Sequence, residues 1–227
     1  MAMIMAMITR MAITGMIMND YVRDPAEITR LSFAAIRREA DLSAVPEDIM
    51  PLALRMIHAC GMVDLPADLA FSPGAGSAGR AALAVGAPIL TDVEMVAHGI
   101  AQRRLAAANE VICMLGEAGV SERARAMGMT RSAAAVELWA PKLAGAVIAI
   151  GNAPTALFRL LELLAEQAAR PALVIATPPG FIGAEESKQA LIENDFAVPY
   201  VVLRGRRGGS ALAAAAVNAL IIEEDVA

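Results

Sequence analysis

The pattern of apolar runs predicts an α/β domain built on a mostly parallel sheet, and three observations carry that expectation. From Leu69 onward, short unbroken apolar runs alternate with alanine-rich helical stretches, as expected of strands buried on both faces by crossover helices. The 227 residues are 57% hydrophobic but only 4% aromatic, so alanine, valine, isoleucine and methionine must fill the core. No Pro/Gly/Ser-rich linker and no repeat divides the chain, which places one domain over residues 20–227.

The opening segment, Met1 to Met18, is methionine- and isoleucine-rich but is broken by Arg10 and Gly15. It holds no apolar run of membrane-spanning length and no cleavage site after a proper apolar core. Residues 1–19 therefore read as a disordered or adventitious leader. The first helix opens at Asp24-Pro25-Ala26-Glu27, with Asp24 as N-cap, Pro25 at the first helical position and Glu27 completing a capping-box-like pattern. It runs to about Glu39, with Ile28, Leu31, Ala35 and Ile36 as its apolar stripe. A second helix, with Pro51 early in it, runs to Cys60. Strand candidates follow at 69–71, 88–91, 110–114, 146–150, 172–176 and 200–203. Helices are expected at 76–85, 92–100, 121–127, 131–143, 154–168, 184–193 and 210–222. In such a sheet, ligands bind beyond the carboxyl ends of the strands.

Charge and composition exclude several function classes. A net charge of −5 and a pI of about 5.1 argue against a nucleic-acid or other polyanion binder, and the scarce aromatics leave no base-stacking platform. Two cysteines and two histidines make neither a disulfide framework nor a zinc site, and they fit a reduced, cytoplasmic protein.

The most suggestive stretch is Leu52 to Gly61. Arg55 and His58 lie three residues apart and so share a helix face. Gly61 is placed to turn the chain out of the helix, leaving His58 in a last turn whose dipole favours a protonated imidazole. The pair could hold an anion and deliver a proton to it; the commoner alternative is a histidine capping its own helix beside a solvated arginine. Strand-end loops add further candidates. Gly151 to Thr155 precedes a helix whose N–H groups could take an anion. Arg204, Arg206 and Arg207 lie among glycines where the final helix opens, a possible carboxylate or phosphate clamp. Arg131 follows Thr130, an expected N-cap. Gly74, Gly76 and Gly79 satisfy the dinucleotide fingerprint, with Asp92 at roughly the distance of a ribose-binding acid. Yet the strand before them is very short and two helices precede it, unlike a first βαβ unit. His98, before Gly99, reads as a helix-terminal structural histidine. Trp139 reads as core, and nothing in their spacing makes Asp92 and Glu94 a catalytic pair.

Several longer motifs point to one family. They are Tyr-Val-Arg-Asp-Pro (21–25), Arg-Met-Ile-His-Ala-Cys-Gly (55–61), Phe-Ser-Pro (71–73) and Gly-Ala-Pro-Ile-Leu-Thr-Asp-Val-Glu-Met-Val (86–96). Further on come Thr-Arg-Ser-Ala-Ala (130–134), Ala-Ile-Gly-Asn-Ala-Pro-Thr-Ala-Leu (149–157), Gly-Phe-Ile-Gly-Ala-Glu-Glu-Ser-Lys (180–188) and Arg-Gly-Arg-Arg-Gly-Gly-Ser (204–210). With these motifs the chain resembles the precorrin-8X methylmutases of cobalamin biosynthesis from Tyr21 to about Leu220. The resemblance implies a flavodoxin-like three-layer sandwich with a mostly parallel sheet of about five strands, preceded by two N-terminal helices. It implies an isomerase that moves a methyl group from carbon 11 to carbon 12 of precorrin-8X, giving hydrogenobyrinic acid without an added cofactor. It further implies a homodimer with the site near the subunit interface, His58 as general acid, and Ser32 and Arg55 as substrate contacts. Thr130, Arg131, Arg204 and Arg206 are then the groups expected to meet the carboxylates of the substrate. Thr29 stands where tyrosine is common in the family, and Thr177-Pro178-Pro179 replaces a more usual Met-Pro-Val. A nicotinamide-dependent oxidoreductase using the 74–79 loop and a non-catalytic tetrapyrrole carrier are the competing readings.

Overall fold

The computed structural model describes residues 21–166, 169–193 and 195–221; the expected leader and the expected helix ends at 167–168 and 222 lie outside the described residues. Strands β1 (Leu69–Phe71), β2 (Ile89–Thr91), β3 (Val111–Cys113), β4 (Val147–Ile150), β5 (Leu173–Ala176) and β6 (Tyr200–Leu203) form one sheet in the order β1-β6-β5-β4-β2-β3. Neighbours pair in parallel, as in Ile89↔Val111, Ile89↔Val147 and Val174↔Tyr200, except at β1, where Leu69↔Leu203 and Phe71↔Val201 are antiparallel. The sheet thus has six strands where the family resemblance implied about five. The extra strand is the short run after Pro66, which enters the sheet edge in reverse.

Alternation along each strand divides the core. Val147, Ala149, Ile175 and Val201 face one layer, while Ile148, Ile150, Val174 and Val202 face the other, as the two-residue period of a strand requires. The first layer contains α1 (Pro25–Glu39), α2 (Met50–Cys60), α3 (Ala75–Ala84), α4 (Glu94–Gly99) and α9 (Ser210–Ile221). The second contains α6 (Arg131–Val136), α7 (Pro154–Glu166) and α8 (Ala184–Ile192), with α5 (Val120–Met127) packed on α6 at its margin. No helix among the described residues is long and apolar enough to cross a membrane.

Helix boundaries follow local chemistry. Asp24 caps α1 by accepting from the Ala26 N–H at 3.2 Å, with Pro25 opening the helix. Glu27 does not close a capping box: its carboxylate takes a two-pronged bond from Arg30, 2.7 and 2.8 Å, the stronger local partner. The expected 131–143 helix ends at Val136 and continues as a 3₁₀ segment, Glu137–Lys142, which contains Pro141, a residue without the N–H that an α-helix needs. Gly99 is not a left-handed cap; a Cβ there would lie 2.7 Å from Ala214 Cβ, so it is glycine to let α4 press against α9. In α2, Leu52, Leu54, Met56 and Ile57 are all buried. Each such side chain contributes about 1.5–3 kcal/mol on burial, so packing holds this helix in place.

The strand order reverses between β2 and β4, where α4 leaves on one face and the later crossovers on the other. The carboxyl ends of the parallel strands define one edge of the sheet. Because β1 is reversed, its start lies at that same edge, so α2 leads into it from there.

Candidate active site

At the carboxyl edge, the end of α2 meets the loop that follows β6. Gly61 adopts φ 71°, a left-handed conformation that its missing Cβ allows, and its N–H closes the helix on Ile57 O at 2.7 Å. His58 stands in the last turn, exposed, with its ring stacked on Phe33 of α1 at 5.2 Å between centroids and 19° between planes. Phe33 is buried, with Ile36 one turn further along α1. The ring is therefore held on one face by the protein while the residue stays open to a ligand. Arg55 is half-buried one turn before it. Ser32 is half-buried beside Phe33 and donates its hydroxyl to Ile28 O at 2.7 Å. Ser32, Arg55 and His58 are thus brought to one junction of α1 and α2.

The β6–α9 loop, residues 204–209, is tied to the exit from α2. The Arg207 guanidinium lies 2.9 Å from Asp64 Oδ2, pairs with Asp68 and approaches Met62 Sδ at 3.7 Å. These carboxylates hold its proton more firmly than usual. Of the three arginines expected to form a clamp, Arg207 is therefore spent on the fold, while Arg204 and Arg206 remain. The loop is also joined to the one after β5: Gly180 N–H donates to Arg206 O at 3.1 Å, and Gly209 N–H to Thr177 O at 2.8 Å. At its tip Phe181 and Ile182 are 80% and 89% exposed, and the Arg206 guanidinium sits 5.3 Å from the Phe181 ring centroid.

Two expected anion positions are already filled by the chain itself. At the switch point between β2 and β4, the Asp92 carboxylate, 2% exposed, accepts from the N–H groups of Gly151, Asn152 and Ala153 at 3.0, 2.9 and 2.7 Å. Burial pushes its carboxyl up, and the three amides pull the other way. The helix start at 154 is consequently no free anion site. The glycine fingerprint is occupied likewise: Asp48 Oδ2 accepts from Gly76 N–H at 3.0 Å and Ser77 N–H at 3.3 Å. A Cβ on Gly76 would run into Asp48 O, and one on Gly79 would lie 2.6 Å from Leu173 Cδ2. Reversed β1 also puts this loop at the amino edge, beside Tyr200. The glycines serve packing, and the dinucleotide reading has lost its site.

Thr130 caps α6 as expected, accepting from Ala133 N–H at 3.2 Å, and its hydroxyl meets Thr155 Oγ1 at 2.8 Å. Arg131 donates to Leu115 O at 3.1 Å. Because α6 packs on α7, both residues lie over the second layer, across the sheet from His58. His98 bonds Glu94 O at 2.8 Å, in keeping with a structural histidine. Both cysteines are free, and no group of three or more metal-ligating side chains occurs among the described residues.

Sequence reasoning missed Lys188 of α8. It is 1% exposed, and its ammonium donates to Arg207 O at 2.9 Å. Burial pushes the ammonium down to about 8 against the pull of Glu185 and Asp68. The signal was present: Ala184, Ser187, Lys188 and Leu191 fall at the spacing of a buried helix face.

Comparison with known proteins shows the family. Residues 27–223 match the precorrin-8X methylmutase family. The chain belongs to that family. It is 59% identical to the precorrin-8X methylmutase of Pseudomonas aeruginosa, over 92% of this chain and 100% of that protein. It is 55% identical to that of a Sinorhizobium species, over 88% and 96%, and 34% identical to the cobalt-precorrin-8 methylmutase of Priestia megaterium, over 88% and 89%. The crystal structure of the precorrin-8X methylmutase from Thermus thermophilus superposes with a TM-score of 0.79 at 41% identity, covering 86% of this chain and 94% of that one. The mixed α/β architecture is therefore that of the family.

Proposed function

We propose that the chain is an isomerase of cobalamin biosynthesis that moves a methyl group from carbon 11 to carbon 12 of precorrin-8X, giving hydrogenobyrinic acid, with His58 as the general acid. The observation that carries the proposal is the stacked His58: an exposed imidazole, fixed by Phe33, in the last turn of α2 beside Arg55. Unpaired carbonyls at a helix end stabilise an imidazolium. Proton transfer to the conjugated macrocycle concentrates cationic character where the methyl group migrates. Substrate and product are isomers, so the proton given by His58 is matched by one released from the rearranged ring, which resets the catalyst. Ser32 and Arg55 bind beside the histidine. Arg204 and Arg206 take carboxylates from the 204–209 loop, as Thr130 and Arg131 do from the far side of the sheet edge.

The metal-free substrate is the preferred reading, because the two relatives above 50% identity are named for precorrin-8X and the Priestia megaterium protein, at 34%, for its cobalt form. We read the fold as flavodoxin-like: taken alone in chain order, the five parallel strands run 2-1-3-4-5. A homodimer is supported by the exposed Tyr21, Val22, Ile28 and Leu31 on and before α1, an apolar surface of the kind that subunits cover. A cytoplasmic location accords with the two free cysteines.

The test is to incubate purified protein with metal-free precorrin-8X and follow the visible spectrum to the corrin product. Many turnovers per protein molecule are expected, which also separates an enzyme from a carrier. Absence of product, or undiminished turnover by His58→Asn, would refute the assignment.

A further inference from the structure

The β6–α9 loop is held from above and from below. From above, Arg207 reaches over to Asp64 and Asp68 at the exit from α2. Along its flank, Gly180, Thr177 and Gly209 exchange hydrogen bonds between the two loops, and a Cβ on Gly208 would run into Thr177 O. From below comes Lys188, whose ammonium donates to the Arg207 carbonyl at 2.9 Å. That last contact is costly. Lys188 is 1% exposed, and no carboxylate lies within ion-pair distance of it among the described residues. One carbonyl is its only hydrogen-bond acceptor there. A buried ammonium so thinly compensated works against folding. An apolar side chain of similar size would fill the same space without that cost.

We propose that Lys188 is a positioning residue for substrate binding: its ammonium fixes the Arg207 carbonyl and thereby the presentation of Arg204 and Arg206, which precede it in the same loop. The inference rests on the reading of those two arginines as carboxylate-binding groups. Arg206 is joined to the neighbouring loop by its own carbonyl, which accepts from Gly180, and by its guanidinium over Phe181. Arg204 is anchored by its amide on Asp68 O at 2.9 Å. Lys188 grips the chain between these anchors and α9, at the carbonyl of the residue that follows Arg206. Lys188 touches no substrate in this account. Its burial also explains the unusual acidity of its ammonium, which falls to about 8.

The experiment compares wild type, Lys188→Met and His58→Asn on metal-free precorrin-8X, with thermal unfolding of each protein. Methionine keeps an unbranched chain of similar volume and removes the donor. The expected result for Lys188→Met is a KM raised about tenfold, a kcat within about twofold of wild type, and a melting temperature equal or higher. His58→Asn loses kcat instead. An unchanged KM for Lys188→Met overturns the proposal. So does a lower melting temperature with kcat and KM damaged together, because that is the mark of a lysine needed only for folding. Should the methionine variant not fold, Lys188→Leu, which also removes the donor, is measured in the same way, with a wild-type KM again overturning the proposal. If wild type itself produces no corrin, the functional reading fails, and that result is distinct from a wild type that turns over while Lys188→Met matches it.

Discussion

The loop before α3 and the loop before α9 are both glycine-rich and both open a helix, yet their surroundings are opposite. The first lies at the amino edge of the sheet. Its amides are taken by Asp48, and the inner sides of Gly76 and Gly79 are filled by backbone and leucine. The second lies at the carboxyl edge, where Arg207 joins the exit from the His58 helix and Arg204 and Arg206 are exposed among glycines. Glycines thus serve close packing in both loops, but only the second carries exposed arginines. Which edge a loop occupies, and whether its donors are already bonded, decides between them; glycine count does not.

Four measurements test this contrast. The largest effect is expected from His58→Asn, which should lower kcat by roughly 10²–10⁴ with little change in melting temperature, because the side chain is exposed. Corrin formation followed in the visible checks it. Next is Gly76→Ala at the amino edge. Its new methyl meets the Asp48 carbonyl, so a loss of about 1–3 kcal/mol is expected in urea unfolding, with activity per folded molecule retained. Were corrin formation abolished in folded Gly76→Ala protein, the division between the two loops would collapse. Arg206→Gln should cost about 1 kcal/mol of substrate affinity, a several-fold rise in KM with kcat preserved. The last concerns Lys188. Its native pKa of about 8 lies below the ordinary 10.5, so between those values the unfolded chain binds more protons than the native one and stability rises with pH. The gap in unfolding free energy between Lys188→Met and wild type should therefore narrow from pH 7.5 to pH 10. A constant gap would show that the ammonium is not held under strain.

Much of the fold was legible because its signals are local. Unbroken runs such as Val147–Ile150 and Leu173–Ala176 read as buried parallel strands, and Asp24-Pro25 and Gly61 marked helix ends that the structure places there. What escaped depends on partners far away in sequence. Nothing near Leu69 says that β1 runs backwards; its partner is Leu203. Glu27 met a capping pattern but found Arg30, and the amides after β4 looked free until Asp92, 59–61 residues earlier, took them. The site divides in the same way. His58 and Arg55 could be picked out from one helix, whereas the loss of Arg207 to Asp64 and Asp68, and the grip of Lys188 beneath it, are decided by tertiary contacts alone.

The reversed first strand also bears on the order of events during synthesis. The His58 helix leaves the ribosome early, but the strand that receives β1 and the loop bound to the exit from that helix emerge much later, and the bonds joining the two regions span 143 and 139 residues. Closing loops of that length comes late in folding. A nascent chain stalled before β6 therefore carries the His58 helix but lacks the strand and loop that secure its exit. That junction should close abruptly, once β6 and the loop after it have emerged.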